Sequence, residues 1–388
     1  MRPSAAAWAA AGALAGLCLV SACSDGGTAI KAPPPSTAQA SMAPTTTPTK
    51  PAATDKVRLS KVADFSGTGT STGPMALGDG VLAYPFTTVR SSTRWDQVEA
   101  VPLSSMHRSV VARSAWPDGL IESVVVGGGW LVYVDQRQKA GVQDQPPSQW
   151  RVDAVDLATG ARILLGTSGD RADPVPPYVS RTGGYVLWTP YGTGAKLPTY
   201  DWKPGWPAAR TLPIPDPAPQ GGISIVGKHL VYLVDSSTPV SVAFPTGDCW
   251  EAPLSGGKAV QVTTTGLVEN CVARGDDLFW SQIDDPTSAD NFDPSSTWLG
   301  SLSTRQAVEL TGTTAKASAD ASFGTGFVAW SNLSQRAVVR SLAGGGQAVF
   351  SDRHSVSGLV ADGLLVATDS STGKNSPTDF HVRRVTIH

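Results

Sequence analysis

Few residues in this chain have both the type and the spacing for chemistry. Cys249 and Cys271 form an even pair in the body of the sequence. In an oxidising compartment such a pair closes a disulfide, which stabilises a fold by roughly 3 kcal/mol in the chain-entropy account. The alternative is two buried free thiols. No C-x-x-C is present and no histidine stands at ligand spacing near either cysteine, so a zinc site is not expected. Asp284, Asp285, Asp290 and Asp293, with Asn291 among them, make the densest run of oxygen donors. Oxygen ligands suit calcium. Yet the spacing matches no calcium loop, and Pro286 and Pro294 fit a solvated surface excursion as well. His107, His229, His354, His381 and His388 are scattered and form no pair for metal binding or base catalysis.

Aromatics offer a second kind of site. Tyr200, Trp202 and Trp206 lie in a proline-rich insert between Tyr191 and Pro219. Exposed aromatics dominate interface energetics, so these three are the candidate recognition surface. The alternative is a hydrophobic lid packed on its own sheet. A net charge of −2 and the lack of a basic stripe argue against a nucleic-acid partner.

The beginning of the chain bears on location. Arg2 precedes an apolar run from Ala5 to Val20 that is short for a spanning helix. The run ends in Leu19-Val20-Ser21-Ala22-Cys23, which resembles the lipobox of bacterial lipoproteins. That resemblance implies residues 1–22 as a cleaved signal peptide and Cys23 as the lipidated N-terminus, although Val20 stands where the family usually has Leu. An ordinary secretory peptide cut near Ala22 is the alternative. Burying acyl CH₂ groups stabilises membrane attachment by about 0.8 kcal/mol each. Residues 23–55 are rich in Pro, Thr and Ala and nearly free of large apolar side chains. They are expected to form a disordered tether, with glycosylation of the Thr-rich part left open.

The elements that must position any site repeat along residues 56–388. A Gly, two or three apolar residues and an aromatic recur: Gly80 to Tyr84, Gly129 to Tyr133, Gly184 to Trp188, and Gly326 to Trp330. His229 to Tyr232 and Asp277 to Trp280 are variants, and Gly363 to Ala367 is a degraded seventh copy. The copies lie about 37 to 55 residues apart, the period of β-propeller blades. Between them stand alternating strands joined by Thr-Gly or Gly-Gly, as in Ala154 to Leu165 and Trp250 to Val262. Helical periodicity is nearly absent. The fold class is therefore all-β, a seven-bladed propeller, with six or eight blades as the alternatives. The strand from Lys56 to Val62 has no anchor before it, and the one from Phe380 to Val385 has no partner after it. Their pairing would close the ring and remove an aggregation-prone edge. The anchor aromatics are expected between neighbouring blades.

The turn Asp156-Leu157-Ala158-Thr159-Gly160, followed by Gly-bounded strands ending in Trp or Tyr, resembles TolB-like and peptidase-type propeller repeats. The resemblance covers Lys56 to His388. It implies a binding scaffold, or the propeller of a peptidase whose triad lies on a separate α/β-hydrolase domain. The same turn is similar to the core of quinone-dehydrogenase propellers. That family has Trp where Leu164 stands, and the motif occurs once here, so no cofactor is expected. Asp156 and Gly160 have a simpler task as turn residues.

The chain is thus expected to be a lipid-anchored protein on the outer side of a bacterial cell membrane, extracellular or periplasmic. Its propeller would act as a monomeric binding or scaffolding module for an envelope protein or small ligand. It would meet the membrane through its lipid only. The alternative is a hydrolase or lyase whose carboxylates meet in the central channel, marked by a raised pKa.

Overall fold

The computed structural model describes residues 43–44, 55–68, 75–89, 94–137, 149–169, 176–190, 198–213, 215, 221–235, 246–283, 296–310, 317–332, 336–350, 355–361, 363–369 and 378–388. The chain divides into residues 1–39 and residues 40–388, and everything described belongs to the second unit. Cys23 and the aspartates at 284, 285, 290 and 293 lie outside the described residues.

Every described element is a strand. They are β1 (Ala43–Pro44) and β2 (Val57–Ser66), then β3 (Ala76–Gly78), β4 (Val81–Phe86), β5 (Gln97–Pro102) and β6 (Ser109–Arg113). Next come β7 (Gly119–Gly127), β8 (Trp130–Arg137), β9 (Gln149–Asp156), β10 (Arg162–Thr167), β11 (Ser180–Thr182), β12 (Tyr185–Trp188), β13 (Tyr200–Trp202) and β14 (Arg210–Thr211). They continue as β15 (Gly221–Val226), β16 (His229–Asp235), β17 (Gly247–Pro253), β18 (Val260–Gln261), β19 (Val268–Arg274), β20 (Asp277–Gln282), β21 (Ser296–Ser301) and β22 (Gln306–Leu310). The last are β23 (Ala317–Gly324), β24 (Phe327–Asn332), β25 (Ala337–Ser341), β26 (Gln347–Val349), β27 (Ser355–Ala361), β28 (Leu364–Asp369) and β29 (Asp379–Ile387).

Five separate four-stranded sheets form: β3–β6, β7–β10, β11–β14, β23–β26, and β27–β29 with β2. The other strands make one nine-stranded sheet. Counted as separate blades the number is therefore five, not seven. The physical reason is a single bridge. Gly247 of β17 pairs with Val268 of β19 and merges the meanders β15–β18 and β19–β22 into one sheet. A second departure concerns the stretch expected as tether, where β1 pairs in parallel with β22, Ala43 opposite Gln306. An outer edge strand leaves backbone groups open to such pairing.

Each four-strand set begins with a hairpin whose turn has two residues, and glycine is what makes it tight. Asp79-Gly80, Gly128-Gly129 and Gly183-Gly184 all have positive φ at both positions, as a type I′ turn requires. The recurring glycine of the sequence is thus a turn residue, and the apolar run after it is the second strand. Its aromatic lands in a seam between neighbouring sets. Tyr133 joins Ala83, Val98 and Ile121, and Trp188 joins Val132, Trp150 and Val186. Trp330 joins Phe279 and Leu310. Burial of each such ring removes well over 100 Å² from water, so the seams carry most of the apolar stabilisation.

The first strands form the inner layer. Each of β3, β7, β11, β15, β19, β23 and β27 touches the next, and β27 returns to β3. β2 pairs with β29 from Val57 opposite Ile387 to Ser66 opposite Asp379, so the two ends of the ring close on one sheet. Phe65 stacks on Phe380 at 5.3 Å within that closure.

Candidate functional site

The two ends of the sheets differ. At one end every first strand meets its second through two residues. At the other end the second and third strands are joined by long segments, such as residues 138–148 between β8 and β9, except between β24 and β25, where residues 333–336 suffice. Buried polar side chains gather at this second end. Thr87, Asp135, Asn332 and Thr368 lie where second strands finish, and Gln97, Asp201, Asp248 and Thr297 where third strands start. Buried polar groups are costly unless hydrogen-bonded, so their concentration needs local partners. Asp248 takes Thr263 Oγ1–H at 2.9 Å, Gln261 Nε2–H at 2.9 Å and the Gly266 N–H at 3.1 Å. Burial still holds its pKa above the ordinary carboxylate value.

A β-bulge marks the inner strand of several sets near this end. In β7 the pairing jumps from Ile121 opposite Asp135 to Ser123 opposite Val134, so Glu122 is the extra residue. In β19 it jumps from Val268 opposite Gln282 to Asn270 opposite Ser281, so Glu269 is the extra residue. In β23 it jumps from Ala317 opposite Asn332 to Ala321 opposite Trp330. A bulge re-aims a side chain and unpairs its backbone, which is why bulges recur beside sites.

Glu122 is the best-defined member. Its Oε2 accepts from Gln136 Nε2 at 2.8 Å, and its Oε1 accepts from the Tyr178 hydroxyl at 3.4 Å. Burial raises its pKa, while the Tyr178 hydrogen bond acts the other way. Tyr178 precedes β11, so the contact crosses from one set to the next. Near it, Asp135 is wholly buried and takes Ser114 Oγ–H at 2.7 Å and the Ala115 N–H at 2.6 Å. Burial lifts its pKa to about 6 despite those bonds. A protonatable glutamate beside an amide and a phenol can accept or donate hydrogen bonds to a ligand. Burial also makes it hold a proton more tightly than an exposed glutamate does.

The aromatics proposed from sequence fall elsewhere. Trp202 is fully buried in the seam with Trp188, and its Nε1–H donates to the Trp206 carbonyl at 3.0 Å. Tyr200 stacks on Trp188 at 5.5 Å. Trp206 is half-buried with the Arg210 guanidinium 3.6 Å above its ring. They belong to the β13–β14 hairpin rather than to a free insert, because Trp202 continues a strand whose side chain faces the seam. Cys249 and Cys271 are brought together in one buried apolar cluster, and in this structure both are free thiols. Asp156 does what a turn residue should. Its Oδ1 takes the N–H of Ala158 at 2.8 Å and of Thr159 at 3.0 Å, and Gly160 has φ +74°.

Sequence reasoning missed Glu122, Tyr178 and Asp135. Glu122 interrupts the apolar run Leu120 to Val126, which is the one signal that could have marked it. A Gly-x-Ser-x-Gly string, Gly69 to Gly73, also occurs, outside the described residues. A nucleophile elbow needs a following helix, and the next element here is β3. Among the described residues no group of three or more His, Cys, Asp or Glu could hold a metal ion. No described helix is long and apolar enough to cross a membrane.

No family model and no curated protein matches the sequence. Solved structures do resemble the fold. The β-propeller domain of the trilobed protease from Pyrococcus furiosus matches with a TM-score of 0.56 at 10% identity, over 80% of this chain and 95% of that one. The fold is a β-propeller. A chain of the mitotic checkpoint complex matches with a TM-score of 0.52 at 10% identity, over 84% and 94%. At such identity the likeness reaches the fold alone. The protease domain is described as having an open velcro topology, whereas the propeller here pairs β2 with β29.

Proposed function

We propose that the propeller is a recognition module held on the outer side of the cell membrane by a lipid on Cys23. Its recognition face is the end that carries the long connections, and its centre is Glu122 with Tyr178. The observation that carries this reading is the asymmetry of the two ends. Tight glycine turns finish one end, while buried polar side chains and long segments share the other. Inserts on one face of a repeat ring are where partners bind. Lipobox-like residues before Cys23 and the Pro/Thr-rich stretch after it support the anchoring and the envelope partner. We count the nine-stranded sheet as two fused blades, which makes seven with the five separate ones, and we read the repeat as TolB-like.

The test uses full-length protein cross-linked in native envelope. Wild type is compared with a Glu122→Gln/Tyr178→Ala variant and with Lys228→Glu at the opposite end. An envelope protein captured by wild type and Lys228→Glu, and lost from the double variant, is the expected result. Equal capture by all three places recognition elsewhere. Loss of membrane partition in Cys23→Ala tests the anchor independently. The raised pKa of Glu122 favours a second reading, a hydrolase or lyase centred there. Turnover of an envelope polysaccharide that Glu122→Gln abolishes would select it.

A further inference from the structure

Cys249 lies on β17 opposite Leu233, and Cys271 lies on β19 opposite Trp280. They come from consecutive four-strand sets, beside the bridge between Gly247 and Val268 that merges the two. Neither side chain has any exposed surface. Both sit in one apolar cluster with Val231, Val268, Leu278 and Trp280, and the two thiols are in hydrogen-bond contact. Sulfurs already in contact need only a small shift to reach bonding distance.

We infer that these two cysteines close a disulfide across the seam of the nine-stranded sheet, and that it can form only while the chain folds. The argument is one of access. Exchange requires a thiolate and a path for the oxidant. The packed seam offers no path, and burial raises the Cys249 thiol well above its ordinary pKa. The redox state of the pair is therefore set before β17 and β19 pack, and folding then preserves it. The oxidant is a soluble or protein-borne disulfide. One cysteine thiolate attacks it, releases one thiol and forms a mixed disulfide. The second cysteine displaces the remaining sulfur as a second thiol. Two protein thiols are oxidised to one S–S bond, and one external disulfide is reduced to two thiols.

The experiment treats full-length protein with glutathione disulfide in two ways, during refolding from denaturant and after folding in reductant. Each sample is then digested without reduction and mapped. A peptide joining Cys249 to Cys271 is expected from the first sample and is expected to be at least tenfold less abundant in the second. In the reduced folded protein, alkylation of both thiols should be at least tenfold slower than in denaturant. Free thiols at both positions after oxidative refolding overturn the pairing. Equal linkage in the two samples, or equal alkylation rates, overturns the claim that folding gates it.

Discussion

Asp79, in the turn between β3 and β4, accepts the backbone N–H of Gly129 at 3.2 Å, in the turn between β7 and β8. The same carboxylate oxygen accepts the N–H of Gly128, and Arg181 from the next set stands 3.9 Å from the other oxygen. One turn residue thus ties neighbouring blades at the tight end of the ring. Asp79 also holds φ +51°, a left-handed conformation that Asn tolerates and Ala does not favour. Asp79→Ala should cost about 1–2 kcal/mol by urea unfolding, and Asp79→Asn distinctly less. Equal losses would mean that the backbone conformation has no part in the effect.

Trp202 and Trp206 should separate in their effects. Trp202 is wholly buried between two blades. Trp202→Ala should destabilise by about 3–5 kcal/mol, as large-to-small core changes do. Trp206 is half-buried under Arg210, so Trp206→Ala should cost less than half as much by the same denaturation measurement. Any binding test on this hairpin should therefore change Trp206 and leave Trp202 intact.

Asp135 gives stability a pH dependence of known sign. Its folded pKa is raised from 3.8 to about 6, chiefly by burial. The folded protein therefore binds the proton more tightly than the unfolded chain does. The resulting stabilisation is full below pH 3.8 and is lost as pH rises through about 6. Its size is about 3 kcal/mol. Asp135→Asn should remove this dependence, so the stability difference between variant and wild type should change between about pH 4 and 6 and level off above. Urea titrations at stepped pH read it directly.

Closure of the ring should depend on β2. Without it β29 presents an open edge, and the Phe65 and Phe380 stack is lost. A chain lacking residues 1–66 should aggregate, or be cut by protease within β27–β29, under conditions where a chain beginning at residue 55 survives. Equal protease resistance would show that the remaining strands hold the sheet without β2.

The repeat was legible because it is local. A glycine that must take positive φ and an aromatic a few residues on are both set by one hairpin. Asp156 and Gly160 were legible for the same reason, since the Asp side chain bonds to backbone two and three residues ahead. Pairing of the first and last strands could also be argued from sequence, because each lacked a neighbour.

Sequence by itself determined the all-β class, the turn chemistry, the core aromatics and the pairing of the ends. Period and backbone conformation are properties of short segments and carry the first three, whereas the pairing of the ends followed from each end strand lacking a neighbour in the repeat. Only the tertiary structure decided that Trp202 is core, that two repeats merge at Gly247 and Val268, and that Glu122 stands out on a bulge beside Tyr178. Each of these depends on residues distant in the chain that meet across a seam. The burial that raises Asp135 and Glu122 likewise comes from packing, which no local spacing encodes.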